Sequence, residues 1–382
     1  MVNIYGGESN LGFGIHCKNM IRSLQILGEE VVFLPIKGSV QPPNDLYYQS
    51  FIDKAKDLTK FKATNPSLFI FHEEESCRYT GSPAFAFSIF ETDQITPIAK
   101  AMLNSRASDV ILVTTKEHKK ILENSNIITP IEILHEGVNE DIFNLNTQNK
   151  LINTNKFTFI TAGKKEKRKN TDKIIRAFVD ICQYKEIALI CHTKNPFTFG
   201  PNINVRAWSD VDITKFGFNL VSNDKIALKF SNGVCDIYFT HNDIETKDLP
   251  LLYNSANVGI QCSSGESWGL PEVEMMACGI PLIITDTIGH REYLSAIPEE
   301  LKSLIITPTE SEIANDNFWF KGNKGKWMVV DISDIRTKIN EVISNMNNFK
   351  NKNITLSNNL IQDFSWNKAA QSFLDLIKKY KM

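Results

Sequence analysis

The sequence lacks most of the features that tie a chain to a special environment. No run in it is long and apolar enough to span a bilayer. Its seven cysteines, Cys17, Cys77, Cys182, Cys191, Cys235, Cys262 and Cys278, are scattered and form no C-x-x-C pair. A disulfide frame or a zinc site is therefore not expected, and the thiols read as reduced. Charge of one sign is also missing: 42 Lys and Arg stand against 44 Asp and Glu, a net of −2. Such a balance gives no general attraction to nucleic acid or an anionic membrane, although a local basic patch stays open. The opening MVNIYGGESN has no basic segment followed by an apolar run, so no secretory leader is expected. No repeat or low-complexity tract stands out. A cytoplasmic location, free or peripheral at a membrane surface, is the expectation.

What is present is a globular composition, 42% hydrophobic and 23% charged, in 382 residues. That length exceeds one ordinary core and predicts two domains. Short apolar runs alternate with amphipathic segments. Strands are predicted at 2–5, 30–35, 67–72, 84–90, 109–114 and 130–135. A helix follows the loop GGESNLGFG, with Ile15, Met20, Ile21, Leu24 and Leu27 at helical spacing and Gly28 as its stop. Further helices fit 97–105 and 115–123. The polar, Asn-rich stretch 138–156 reads as a linker. The rhythm then restarts with strands at 157–163, 186–192, 235–240 and 257–262, and helices at 170–182, 248–256 and 365–380. The segment from about 193 to 230 is irregular. This pattern predicts two α/β domains with parallel sheets, whose ligand lies at the strand carboxyl ends in the cleft between them.

The stretch GESWGLPEVEMMACGIPLIITD, Gly265 to Asp286, carries the chemistry. A loop leaves a strand, a helix opens near Pro271, and Gly279 and Pro281 stop it. The free N–H groups of such a helix start favour phosphate. Gly269 allows close backbone approach. Glu274, in the first turn, suits the vicinal hydroxyls of a ribose, and Glu266 reaches past the phosphate to a further hydroxylated group. Together these describe a nucleotide sugar. The blander alternative is that the glutamates complement the helix dipole or face solvent, and Glu272 is given that role.

The segment ESWGLPEVEMMACGIPLI resembles the E-x7-E signature of retaining GT-B glycosyltransferases of family four, with Glu266 and Glu274 on its two glutamates. Gly269, Leu270, Pro271, Ala277, Cys278, Gly279 and Pro281 also match. Ser267 and Trp268 replace the usual Gly-Phe, and Met275 replaces Ala. LGFGIHCKNMIRSLQILGEEVVFL resembles the family's first glycine loop, helix and strand, with Gly14 on the loop glycine. ILHEGVNEDIF resembles the end of the first domain through Gly137, Val138 and Phe143, with Asn139 for Asp. TAGKKEKRKNTDKIIRAF resembles the opening of the second domain, with Lys164 in place of Arg and Lys169 on the family's Lys. DFSWNKAAQSFLDLI resembles the closing helix that crosses back to the first domain.

The resemblance implies a GT-B fold of two Rossmann-like domains: 1–148 with the closing helix about 365–382, and 156–362. It implies transfer of a sugar from a UDP- or GDP-sugar to an acceptor hydroxyl with retained configuration. The expected catalytic residues are Lys164, Lys169, Glu266 and Glu91. Gly14, Ser267, Trp268, Gly269, Leu270 and Glu274 are expected to bind the donor, with Trp268 shaping the sugar pocket. Fixed lysines can neutralise the leaving diphosphate, so no metal is expected. The D-x-D at Asp210 and Asp212 reads as a surface turn. Arg168 either assists the lysines or is exposed. Glu91 or Asp93 faces the acceptor, or Thr92 or Asp93 caps the helix ahead of Pro97. His72 is a cleft residue or a strand-end histidine; His16 touches the donor or packs. The expected acceptor is a glycan or lipid-linked saccharide, with a modified nucleic-acid base as the alternative. A nicotinamide-dependent enzyme is disfavoured, since GGESNLGFG lacks G-x-G-x-x-G. A GT-B scaffold without catalysis is the other rival.

Overall fold

The structure is a computed structural model that describes residues 1–36, 45–76, 79–105, 107–182, 185–193, 208–241, 244–316, 320 and 324–381. The first half contains β1 (Val2–Gly6), α1 (Gly12–Ile26), β2 (Val31–Pro35), α2 (Leu46–Ala55), β3 (Ser67–Ile70), β4 (Ala84–Phe87), α3 (Pro97–Leu103), β5 (Val110–Val113), α4 (Lys116–Asn124) and β6 (Ile131–Ile133). Its strands form one parallel sheet in the order β2-β1-β3-β4-β5-β6. Residues on both faces of β3, β4 and β5 are buried, as a parallel sheet covered on two sides requires. α1 buries Cys17, Met20, Ile21 and Leu24, one helical stripe.

The second half begins with β7 (Phe157–Ala162), α5 (Thr171–Ile181) and β8 (Ile187–His192). An antiparallel pair, β9 (Asn219–Asn223) and β10 (Ala227–Ser231), leads to β11 (Asp236–Thr240). Then come α6 (Leu249–Tyr253), β12 (Val258–Gln261), α7 (Leu270–Ala277), β13 (Leu282–Thr285), α8 (Arg291–Leu294) and β14 (Ile305–Ile306). A separate hairpin joins β15 (Ser311–Ile313) to β16 (Lys326–Met328). The chain ends in α9 (Ile332–Ser344), α10 (Ile354–Asp363) and α11 (Trp366–Tyr380). The large sheet has the order β14-β13-β12-β7-β8-β11-β10-β9. The strand order of its parallel part reverses at β7: β8 and β11 lie on one side, β12 and β13 on the other. The loops after β7 and β12 therefore diverge at a switch point, where such sheets bind ligands.

The predicted strands and helices match observed ones, mostly within a few residues at each end. Predicted strand 84–90 ends at Phe87, because the chain then leaves the sheet toward the other half. The helix after Thr96 is capped by Thr96 itself, which accepts the Ala99 N–H. This corrects the reading of Thr92 or Asp93 as the cap. Within the stretch read as irregular, β9 and β10 extend the large sheet, and residues 194–207 lie outside the described set. Cys77 also lies outside it; the other six cysteines are buried free thiols.

α11 packs across α1 and so joins the chain end to the first half. Ser365 caps it by accepting the Lys368 N–H. Phe373, fully buried, meets Phe85 of β4 edge-on at 5.2 Å. Phe373→Ala is expected to cost about 3–5 kcal/mol, the usual range for a buried aromatic. The measurement is the shift of the urea unfolding midpoint of the transition that reports the first half.

Candidate functional site

Two loops of the second half build the site. After β7 the chain runs through GKKEKRKN, and after β12 through SSGESWG. Asn170 ties them together. It sits in the left-handed region at φ 54°, and its Nδ2 donates to Cys262 O and Ser264 Oγ, each at 2.8 Å. The Ser264 N–H donates in turn to Arg168 O at 2.6 Å. These bonds bring a basic loop against an acidic one.

Arg168 is buried, which settles its two sequence readings against exposure. Its guanidinium meets Glu266 at 2.8 Å, Glu166 at 2.9 Å and Glu91 at 3.3 Å, and donates to Gly265 O at 2.9 Å. Glu91 comes from the first half, so this ion cluster spans the cleft. Lys169 Nζ lies 2.5 Å from Glu266 Oε1 and 4.0 Å from Glu272 Oε1. Lys164 stands apart, paired with Glu166 at 2.5 Å with its side chain 31% exposed. The cations of the site that close on Glu266 are thus buried Arg168 and half-buried Lys169, whereas the sequence pairs Lys164 with Lys169.

Burial would raise the Glu266 carboxyl, but Arg168 and Lys169 outweigh it and hold the group well below the usual carboxylate range. Glu166 is lowered in the same way, mainly by Arg168 and Lys164. Glu91 is raised, because its burial exceeds the pull of Arg168. Glu274 is pushed up to about 8 by burial, against a 2.8 Å hydrogen bond donated by Tyr253. The site therefore holds ionised and proton-retaining carboxyls side by side.

α7 begins at Leu270, with Pro271 second and Gly269 as its cap. Gly269 has φ 98°, and a Cβ there would lie 2.9 Å from both Glu272 Oε2 and Tyr293 Oη. The glycine thus meets a backbone demand and a packing demand within the protein. Leu270 is buried. Glu272 is fully buried, which corrects its reading as a solvent-facing group; it does lie in the first turn of α7, where a carboxylate complements the helix dipole. Ser267 faces the first half: its carbonyl accepts from Thr114 Oγ1 at 2.7 Å. Trp268 is 1% exposed and packs against His135, Tyr293 and Phe364. The ring is a core residue of the domain junction, and this packing leaves it no open face as the wall of a sugar pocket.

The first half supplies the opposite wall. Gly14 lies in the first turn of α1, where a Cβ would fall 2.1 Å from Ser9 O, so the loop after β1 folds directly over it. His16 is buried between Phe87 and Trp366 and bonded to Glu136 at 2.7 Å, so it packs. His72 precedes a short 3-10 turn at the end of β3, and burial lowers its pKa. Asp93 Oδ1 accepts the Lys326 N–H at 2.8 Å, which docks the β15–β16 hairpin beside Glu91. Asp212 caps a 3-10 turn through Thr214, and Asp210 pairs with Lys165 at 2.7 Å. Among the described residues no three or more His, Cys, Asp or Glu side chains converge as a metal-holding group.

Tyr253, Thr114, Asn170 and His290 join the site without having been singled out in the sequence. Asn170 alone had a local signal, at the end of the basic loop next to Lys169.

Two Rossmann-like halves with strand carboxyl ends facing a shared cleft, crossed back by a final helix, define the GT-B architecture, and this chain has it. Residues 234–315, which contain both Glu266 and Glu274, match the family model described as glycosyl transferases group 1. A search of curated proteins finds no match. Among solved structures, sucrose-phosphate synthase from Thermosynechococcus elongatus is similar at TM-score 0.64 and 13% identity, covering 99% of this chain and 98% of that one. A glycosyltransferase from Rickettsia africae is similar at TM-score 0.63 and 14% identity, covering 99% and 98%. The Anabaena protein HepE, solved in complex with UDP-glucose, is similar at TM-score 0.59 and 10% identity, covering 99% and 100%.

Removing Arg168 would leave Glu91 without its ion-pair partner and would leave buried Glu266 and half-buried Glu166 with one lysine each. Arg168→Ala is expected to destabilise by about 3–5 kcal/mol. Lys164→Ala, at a part-exposed pair, is expected to change stability by about 0–1 kcal/mol. Chemical unfolding of the two variants beside the parent checks this ranking.

Proposed function

We propose that the protein is a glycosyltransferase that moves a sugar from a nucleoside diphosphate sugar to an acceptor hydroxyl with retained configuration. The observation that carries this reading is the convergence of Arg168, Lys169 and Glu266 at the start of α7, with Glu274 one turn further on. In this reading the helix start and Lys169 hold the diphosphate, and Glu274 takes the ribose hydroxyls. Its retained proton suits it, since a neutral carboxyl both donates and accepts. Glu266, ionised and anchored by Arg168, accepts hydrogen bonds from the donor sugar.

When the donor binds, its diphosphate competes for Lys169, which now rests on Glu266. The exchange frees Glu266 for the sugar and brings the cation to the charge that develops on the leaving phosphate. Arg168 stays buried as the second positive charge. The leaving phosphate oxygen takes the acceptor proton in a front-face attack, since no carboxylate is assigned as a nucleophile. In this reading Glu91, on the facing wall, meets the acceptor hydroxyl. Contacts such as Thr114 to Ser267 and Lys116 N–H to Glu292 at 3.1 Å would hold the halves together and keep water from the donor. HepE binds UDP-glucose, so UDP-sugars are the first donors to test, with GDP-sugars next. The proposed acceptor is a glycan or lipid-linked saccharide.

Thermal-shift screening with nucleoside diphosphates is expected to raise the melting temperature for the matching base. Glu274→Ala is expected to raise the donor KM more than it lowers kcat. Lys169→Ala is expected to lower kcat by about 10²–10³-fold, the cost of one charge-stabilising group. Steady-state transfer and donor-hydrolysis assays read both. Full transfer by Lys169→Ala would sink the diphosphate assignment.

A further inference from the structure

Glu272 has no role in the transfer described above, yet it is more enclosed than Glu266, Glu274 or Arg168. Beyond the residue's own backbone N–H, neither of its carboxylate oxygens has a hydrogen-bond partner, and neither does His290 Nε2. The two groups face each other at 3.7 Å, and His290 is also fully buried. His290 Nδ1 lies 2.7 Å from the Thr285 carbonyl. A carbonyl only accepts, so Nδ1 holds a proton. A neutral imidazole then aims a lone pair from Nε2 at a carboxylate that has only lone pairs. Two buried acceptors facing each other repel, so a proton belongs between them, on the carboxyl or on the ring.

The surroundings give that proton a consequence. Lys169 Nζ is 4.0 Å from the same Glu272 Oε1. From the loop after β12, Glu266 adds negative charge, with Arg168 bound to it. Tyr253 of α6 and Tyr293 of α8 border the carboxylate as phenols kept neutral by burial. Glu274 shares the helix.

We propose that Glu272 and His290 share one proton that sets the charge beside Lys169, and that binding of the donor diphosphate draws a proton into this pair. The inference rests on donor binding at the start of α7. Burial raises the Glu272 carboxyl above its ordinary range despite Lys169, in keeping with a resident proton. An arriving diphosphate adds negative charge and raises the pair's proton affinity further. The bound state then carries more protons than the free state. Nucleotide affinity is therefore higher at low pH and falls as pH rises through the titration of the pair. Glu272 is a positioning residue: it acts through Lys169.

The test is calorimetric titration of UDP and of GDP into the full chain across neutral pH, in buffers of different ionisation enthalpy. Above the titration of the free pair, where the shared proton has been lost, the parent is expected to take up as much as one proton beyond that due to the nucleotide's own terminal phosphate. Below it, where the pair already holds the proton, this extra uptake is expected to vanish. The parent's affinity is expected to fall by up to about tenfold per pH unit, the limit for one linked proton. Glu272→Gln keeps the shape but holds no titrating proton, so it retains only the slope due to the nucleotide phosphate, which cancels in the comparison. His290→Asn keeps a donor for the Thr285 carbonyl and removes Nε2, so the midpoint of the pH dependence shifts. Melting curves verify that each variant folds, and either one suffices. Proton uptake in Glu272→Gln equal to the parent's, or an unmoved midpoint in His290→Asn, overturns the pair while leaving donor binding intact. Failure of the parent to bind either nucleotide at any pH overturns both readings.

Discussion

The buried guanidinium of Arg168 is the constraint on which the rest of the site depends. A buried cation is tolerated only when it is paired and hydrogen-bonded. Here three carboxylates and one backbone carbonyl surround it. Glu166 is its near neighbour in sequence, Glu266 comes from the loop after β12, and Glu91 crosses from the other half of the molecule. One side chain thus links the two diverging loops of the second sheet and the wall that faces them. Its charge also sorts the carboxyls: Glu266 and Glu166 are held below the usual range, while burial wins at Glu91 and, further along α7, at Glu272 and Glu274, which are raised.

The fold makes this convergence possible. A parallel sheet whose strand order reverses at β7 opens a crevice between the loops after β7 and β12. Asn170 closes the base of that crevice by binding Cys262 and Ser264. The same loop presses Ser267 against Thr114 and buries Trp268 beside His135. The segment richest in chemistry is therefore also the segment that carries the contact between the halves. Any motion that separates the halves must break Arg168 from Glu91 and Ser267 from Thr114.

Much of the fold was legible in the sequence. Apolar runs bounded by Gly and Pro marked most core strands, and helical spacing marked α1, α5 and α11. Among the segments it did not yield, β9 is wholly exposed and β15 and β16 are short hairpin strands, while the helices α2, α9 and α10 went unassigned although α9 buries Ile335, Ile339, Val342 and Ile343 at helical spacing. In the site, Glu266 and Glu274 stood out beside a helix start, and the family resemblance singled them out together with Lys169. The ranking of the cations did not, because Lys164 and Arg168 sit in the same basic run and differ only in which way the loop turns them. Glu272 looked like an ordinary first-turn carboxylate, yet helix rotation points it into the protein toward His290. Trp268 looked like a pocket wall, yet it found three aromatic neighbours, one of them ninety-six residues later in the chain at Phe364.

The sequence by itself determined the alternation of strands and helices, the place of the two diverging loops, and the residue types at their tips. Periodicity and turn chemistry are local, so they are written in short windows of residues. Tertiary structure alone decided which charges are buried, which carboxyls hold protons and which aromatic rings face the core. Those properties depend on partners far apart in the chain: Glu91 with Arg168, Tyr253 with Glu274, and His290 with Glu272. Burial and Coulomb energy are set by distances in space, and only the closed fold supplies them.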